Sequence, residues 1–319
     1  MWEKESSPHA AQEAIMQALG SAVTYEYLVG VSGLAFRTQL HKGGICPSSP
    51  NPYCGYACVA RMVEALPVQV TAYERMGDKV TPETTVRKAV VESIDKGIPV
   101  QYGSEEDGVI VGYQKGGAEW LCYHPFKDGG QKQFVETKLP WGVGVHTIQQ
   151  EPVPPKKELV KASLQQALEM AATPDSGDYH VGYQAWDTYI AVLKELVDAD
   201  DERRGKQMQG NAWTYECLAQ FRSCAASYLR DVASLFDEKP RGHLLTAADL
   251  YDKMANAVLR DKDHCVTDIA PYPWMLKDGA KWTNEQLRDE IRRLEDALPL
   301  EKQALGEIAE ALAAMGDES

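Results

Sequence analysis

The sequence predicts an α+β protein: a first half of helices and short antiparallel strands, then an all-helical second half. Three observations carry this reading. From Ile98 to Phe126, β-prone runs are separated by an acidic loop and by a Lys115-Gly116-Gly117 turn, which is a hairpin pattern. Prolines then fill three of four positions at Pro152, Pro154 and Pro155, which neither a helix nor a central strand can tolerate. Beyond them the apolar residues recur at steps of three and four, as in Trp213, Cys217, Phe221, Cys224, Tyr228 and Val232. The predicted domains are therefore 1–150 and 151–319.

In chain order, His9–Leu19 reads as a helix, with Ala14, Ile15, Ala18 and Leu19 recurring on one face, and Thr24–Val29 as a short one. Ser32–Gln39 is expected to be extended. It leads into a loop rich in Gly, Pro, Ser and Asn from His41 to Pro52. Tyr53–Leu66 has a helical period and Val68–Tyr73 alternates as a strand. Thr81-Pro82-Glu83 opens a helix that Gly97 ends, with the proline in its first turn. Ile98–Tyr102, Val109–Tyr113 and Glu119–Tyr123 are strands, and Gln133–Thr137 and Gly144–Ile148 add two more. The second half reads as helices over Glu158–Ala172, Val181–Val197, Ala212–Phe236 and Leu245–Leu259, with a further pair over 283–298 and 300–315. Thr283-Asn284-Glu285-Gln286 is a capping-box pattern for the first of that pair.

Composition excludes several classes. The net charge is −14, with 13 basic against 16 acidic residues in 1–150 and 20 against 31 after it. Such a balance opposes nucleic acid or an anionic membrane as partner and tolerates a cationic small molecule or a basic protein. The longest apolar run is too short to span a bilayer, and the Met1-Trp2-Glu3-Lys4-Glu5 start lacks a signal-peptide pattern, so a cytoplasmic protein is expected. Seven cysteines at irregular spacing include no C-x-x-C pair, so free thiols rather than a zinc site are expected. No nucleotide, zinc-protease or serine-hydrolase motif occurs, and no cofactor or metal is expected.

Several side chains are candidates for chemistry. Cys54 follows a Pro-rich loop and precedes an expected helix, where N–H groups and the helix dipole would favour a thiolate. Glu105, Glu106 and Asp107 form an acidic cluster that could grip an amine, against the alternative of a solvated loop. Arg37 could pair with a ligand carboxylate or with Glu106, or make a structural ion pair. Tyr102, Tyr113 and Tyr123 lie on neighbouring strands, where they either line a pocket or pack the sheet.

Cys54-Gly55 before a helix resembles the way papain-like and bacteriocin-processing peptidases present their nucleophile. In those enzymes a histidine precedes a later apolar strand ending in Gly-Tyr. The matching lead-in to Val109-Ile110-Val111-Gly112-Tyr113 holds Glu106 and Asp107, and their third residue, before a proline, corresponds to His124. A second resemblance covers residues 8–236. Tyr25-Glu26-Tyr27-Leu28-Val29-Gly30-Val31-Ser32-Gly33-Leu34-Ala35-Phe36-Arg37, Lys96-Gly97-Ile98-Pro99-Val100, Gly182-Tyr183-Gln184-Ala185-Trp186 and Gly210-Asn211-Ala212-Trp213 resemble the family of the butirosin biosynthesis protein H N-terminal domain. That resemblance implies a papain-like α+β domain with a helical C-terminal half, and a place in secondary metabolism. The named member moves an aminoacyl group from a carrier-protein thioester to an aminoglycoside amine, so the resemblance adds an acyl carrier protein as a partner. The family's cysteine belongs near the start of the first helix, where this chain reads Ser6-Ser7-Pro8-His9-Ala10-Ala11-Gln12, without cysteine.

The expected function is binding or processing of a small amine- or peptide-like metabolite by a degenerate papain-like domain without classical cysteine catalysis, in a cleft between the two halves. Its walls would be the His41–Pro52 loop, the acidic loop Ser104–Asp107 and His124. Glu105, Arg37, Tyr113 and His9 are the candidate ligand-binding residues. The enzyme alternative is thiol-dependent acyl transfer or amide hydrolysis, with Cys54 as nucleophile, His124 as base and Glu106 as orienter. A third reading, an assembly protein or homo-oligomer, requires an apolar face left open by the helical half.

Overall fold

A computed structural model describes residues 4–77, 80–125, 127, 130–138, 140–148, 156–276 and 281–316. It is an α+β protein with antiparallel sheets, and its helices dominate the C-terminal part. Contacts divide the chain into two compact units, Met1–Leu28 with Met62–Pro154, and Val29–Arg61 with Pro155–Ser319. This departs from a single boundary at the proline cluster, because Val29–Arg61 belongs with the helical unit. The prolines at 152, 154 and 155 lie outside the described residues.

The first unit is a six-stranded antiparallel sheet of order β2-β7-β3-β4-β5-β6, with α1 (Ser7–Ala18) and α4 (Glu83–Asp95) packed on it. Its strands are β2 (Val68–Glu74), β3 (Val100–Gly103), β4 (Gly108–Gln114), β5 (Glu119–Tyr123), β6 (Phe134–Glu136) and β7 (Gly142–Ile148). Alternation along β3 sends Val100 and Tyr102 to one face, where they join Ile110, Trp120 and Cys122 beneath Val86 and Val90 of α4. Gln101, between them, faces the other way and accepts a hydrogen bond from Gln12 of α1. The β4–β5 ladder shifts register between Ile110 and Gly112, so Val111 bulges outward and is 37% exposed. The hairpin turns through Gly116 and Gly117, both at positive φ, as the Gly-Gly pattern requires.

The second unit packs α5 (Lys156–Ala172), α6 (Gly182–Val197), α7 (Asp201–Ala233), α8 (Glu238–Lys253) and α10 (Asn284–Gly316), with the short α9 (Val266–Ile269) beside them. Residues 29–61 join this unit through buried polar contacts. Arg222 of α7, fully buried, donates to the carbonyls of Ala35 (2.8 Å) and Arg37 (3.3 Å) and to Thr38 Oγ1 (2.6 Å). Its charge is met by Glu301 of α10 at 2.7 and 2.8 Å. Gly210 lets the chain at Ile45 approach α7 so closely that a Cβ there would stand 2.2 Å from the Ile45 carbonyl oxygen.

Several elements differ from the sequence reading. A three-stranded sheet of β1 (Gln39–His41), β9 (Tyr179–Val181) and β8 (Asp175–Ser176) replaces part of the expected loops, because His41 and Tyr179 pair across 138 residues of sequence that no local period reports. Ser32–Gln39 is not extended throughout: Leu34–Phe36 forms a buried helical turn. The two expected C-terminal helices are one continuous helix, α10, with Pro299 inside it. Pro299 removes one backbone donor, yet the buried faces before it (Leu294, Ala297) and after it (Leu300, Ala304, Ile308) stay in phase. Its capping box forms as expected: Gln286 N–H donates to Thr283 Oγ1 (3.2 Å) and Thr283 N–H to Gln286 Oε1 (3.1 Å). Among the described residues, no helix is long and apolar enough to cross a membrane.

Candidate functional site

The site grows from the start of α1. Ser6 has extended backbone before the helix, and Pro8 stands within its first turn, where the missing N–H costs nothing. Ser7 is thereby fixed with its hydroxyl toward the acidic loop. Ser7 Oγ donates to Glu106 Oε2 at 2.5 Å and accepts from the Asp107 N–H at 2.9 Å. Asp107, buried, accepts from Gln101, whose own carbonyl accepts from Gln12. The loop is closed by Ser104, whose hydroxyl donates to the Glu106 carbonyl oxygen at 2.8 Å. His124, following β5, brings Nε2 within 3.3 Å of the same oxygen, and its ring stacks on Tyr102 with centroids 6.2 Å apart. Glu106 and His124 are thus brought together, and Ser7 completes the group.

Burial sets the protonation states. Glu106 is pushed up to about 7 chiefly by loss of water, with Asp107 and Glu105 adding to the rise and the Ser7 hydroxyl opposing it. Burial also lowers the His124 imidazole, raises the Tyr102 phenol and pushes the Cys122 thiol up to about 12. Near neutrality, then, Glu106 exchanges a proton readily while His124 and Cys122 are neutral.

These groups border a pocket of about 460 Å³ that lies wholly within the first unit. Its apolar walls are Ile110, Trp120, Phe134, Pro140 and Trp141, and its polar groups include Glu105, Glu106, His124, Glu136, Lys127 and Lys138. Such a volume falls within the range of small-molecule pockets. The segment after β5 supplies half of this lining. In sequence it showed only as a short strand and loop, without a motif.

Cys54 lies in the other unit, and its surroundings differ from those expected. The helix predicted over Tyr53–Leu66 is only α3 (Ala60–Glu64), so the thiol is not at a helix N-terminus. Two features hold the preceding residues out of helix. Gly55 adopts φ +61°. The Arg37 guanidinium captures the carbonyls of Pro50 (2.7 Å), Asn51 (2.9 Å), Cys54 (3.2 Å) and Tyr56 (2.8 Å). Carbonyls converging on one cation cannot also point along a helix axis. Gln39 adds bonds to Ser49 and Cys54 carbonyls and accepts from the Tyr56 N–H. Arg37 is 3% exposed and anchors this loop. Burial lowers its guanidinium from its ordinary value and raises the neighbouring Cys58 thiol. The Tyr179 hydroxyl donates to Ser48 Oγ at 2.9 Å, and burial, chiefly, raises the phenol, with the nearby Cys54 thiol adding to the rise.

Of the other candidates, Glu105 lines the pocket. His9 is fully buried with Nδ1 2.7 Å from Ser6 Oγ, and so steadies the entry to α1. The Tyr113 hydroxyl donates to Asp95 at 2.8 Å, across to α4. Ser7 carries the largest role that the sequence left open. Its one signal was the Ser-Ser-Pro start of an amphipathic helix. Among the described residues no group of three or more His, Cys, Asp or Glu side chains is placed to hold a metal ion. No known protein family and no curated protein matches this sequence.

Proposed function

We propose that the first unit binds a small amine- or peptide-like metabolite in the pocket beside Glu106. The supporting observation is a half-buried carboxyl, held by Ser7 at 2.5 Å, on the border of a pocket with aromatic walls. An ammonium entering there replaces the water that Glu106 has lost with a charge-assisted hydrogen bond. Trp141, in the pocket wall, offers an aromatic surface to the same cation or to its apolar tail. The raised carboxyl also suits proton exchange with a bound amine, which is the step by which binding would pass into processing. The test is isothermal titration of the full chain with primary amines such as n-butylamine and phenethylamine. Binding that falls at least tenfold in Glu106→Gln supports the reading; equal affinity in both proteins refutes it.

A further inference from the structure

We propose that the ligand of this pocket is a zwitterion, an α-amino acid or short peptide, whose ammonium meets Glu106 and whose carboxylate meets Lys127. The inference rests on the amine-binding reading and goes beyond it by assigning the second pole. Charges of both signs line the one pocket, yet among the described residues no ion pair joins them. The ammonium of Lys127 sits 3.8 Å from the centroid of the Phe134 ring instead of on a carboxylate. Glu106 is engaged by the Ser7 hydroxyl at 2.5 Å. Glu136 accepts from the backbone N–H groups of Thr137 and Lys138 at 2.8 and 3.0 Å.

This separation has a chemical consequence. A lysine within reach of a glutamate ordinarily donates a charge-assisted hydrogen bond to it, which leaves neither group for a ligand. Here the fold holds the two signs apart: the α1 start pins Glu106, and the aromatic face of Phe134 parks Lys127. Each pole is therefore left to an incoming group of opposite sign. Lys127 lines the pocket with its side chain exposed, so its ammonium is open to an incoming carboxylate. A plain amine would satisfy Glu106 and leave Lys127 unanswered. A plain carboxylate would do the reverse and meet repulsion from Glu105 and Glu106. A molecule with both ends satisfies both, and about 460 Å³ accommodates an amino acid or dipeptide with its side chain against Trp141.

The experiment is isothermal titration of the full chain with L-leucine and L-leucyl-L-leucine, each against its C-terminal amide. In the unaltered protein the acids bind at least tenfold tighter than the amides. In Lys127→Gln, an exposed loop substitution, that preference disappears while the affinity for the amides is unchanged. Amides that bind as well as the acids overturn the zwitterion and leave the amine reading intact. A preference for the acids that persists in Lys127→Gln overturns the assignment of Lys127. Failure of all four compounds to bind overturns the amine reading and this inference together.

Discussion

Ser7 and Glu106, 99 residues apart in sequence, share a 2.5 Å hydrogen bond that ties the first turn of α1 to the loop before β4. The same hydroxyl accepts from the Asp107 N–H, so one side chain closes both the acid and the backbone of that loop. Substituting Ser7→Ala leaves Asp107 N–H and Glu106 without their partner. The expected cost is about 1–3 kcal/mol of stability, read by urea denaturation. Because the hydroxyl favours the ionised acid, the Glu106 titration followed by carbon NMR should move further upward.

Glu106 also sets the pH dependence of binding. Its carboxyl titrates near 7 in the folded chain, and an ammonium partner favours the ionised form. Amine binding at pH 6 should therefore release protons, and affinity should rise from about pH 5.5 to 7.5. Titrations in buffers of different ionisation enthalpy measure the release. Glu106→Gln should show neither proton release nor a pH slope.

Stability should follow the opposite course. Glu106 at about 7 and Glu290 at about 8 are both raised above the ordinary carboxyl value by burial. The folded chain thus holds protons that the unfolded chain gives up between about pH 4.5 and those values. Unfolding is favoured as pH rises through this window, and stability present near pH 5 declines toward pH 8. Asn211 donates to both Glu290 carboxyl oxygens at 2.9 and 3.1 Å, which offsets only part of the cost. Glu290→Gln should flatten the decline between pH 6 and 8, measured as melting temperature against pH.

Arg37 should not tolerate lysine. Its planar fork reaches four carbonyls at once, and a single ammonium cannot. Arg37→Lys is expected to lose about 3 kcal/mol or more. The loop over residues 49–58 should loosen, and the buried Cys58 should react faster with a thiol reagent. Unchanged labelling kinetics at Cys58 would count against the anchor role.

The buried pair Arg222 and Glu301 offers a parallel test in the helical unit. Arg222→Met strands Glu301 without its cation and frees Ala35 and Thr38 from α7. A loss of about 3–5 kcal/mol is expected. The double substitution Arg222→Met/Glu301→Leu should recover much of it, because no unpaired charge is left buried.

Local sequence patterns determined most of the elements of this chain. The alternation of Val100, Gln101 and Tyr102, the Gly116-Gly117 turn and the Thr283–Gln286 capping box are local patterns, and local backbone and burial preferences produce what they predict. The α+β class follows from them. Tertiary structure decided what those elements share. Tyr53–Leu66 has helical spacing, but four of the carbonyls from Pro50 to Tyr56 turn to a buried guanidinium, which lies 13 to 19 residues away and is invisible to a local window. Val29–Arg61 joins the helical unit because Arg222 and Gly210, far along the chain, receive it. The candidate site has the same origin. Glu106 and His124 could be picked from the sequence as residue types at strand ends. Ser7, Phe134 and Lys127 could not, because hydroxyl-to-carboxyl and ammonium-to-ring contacts depend on distance in space, and only the folded sheet brings those groups to one pocket.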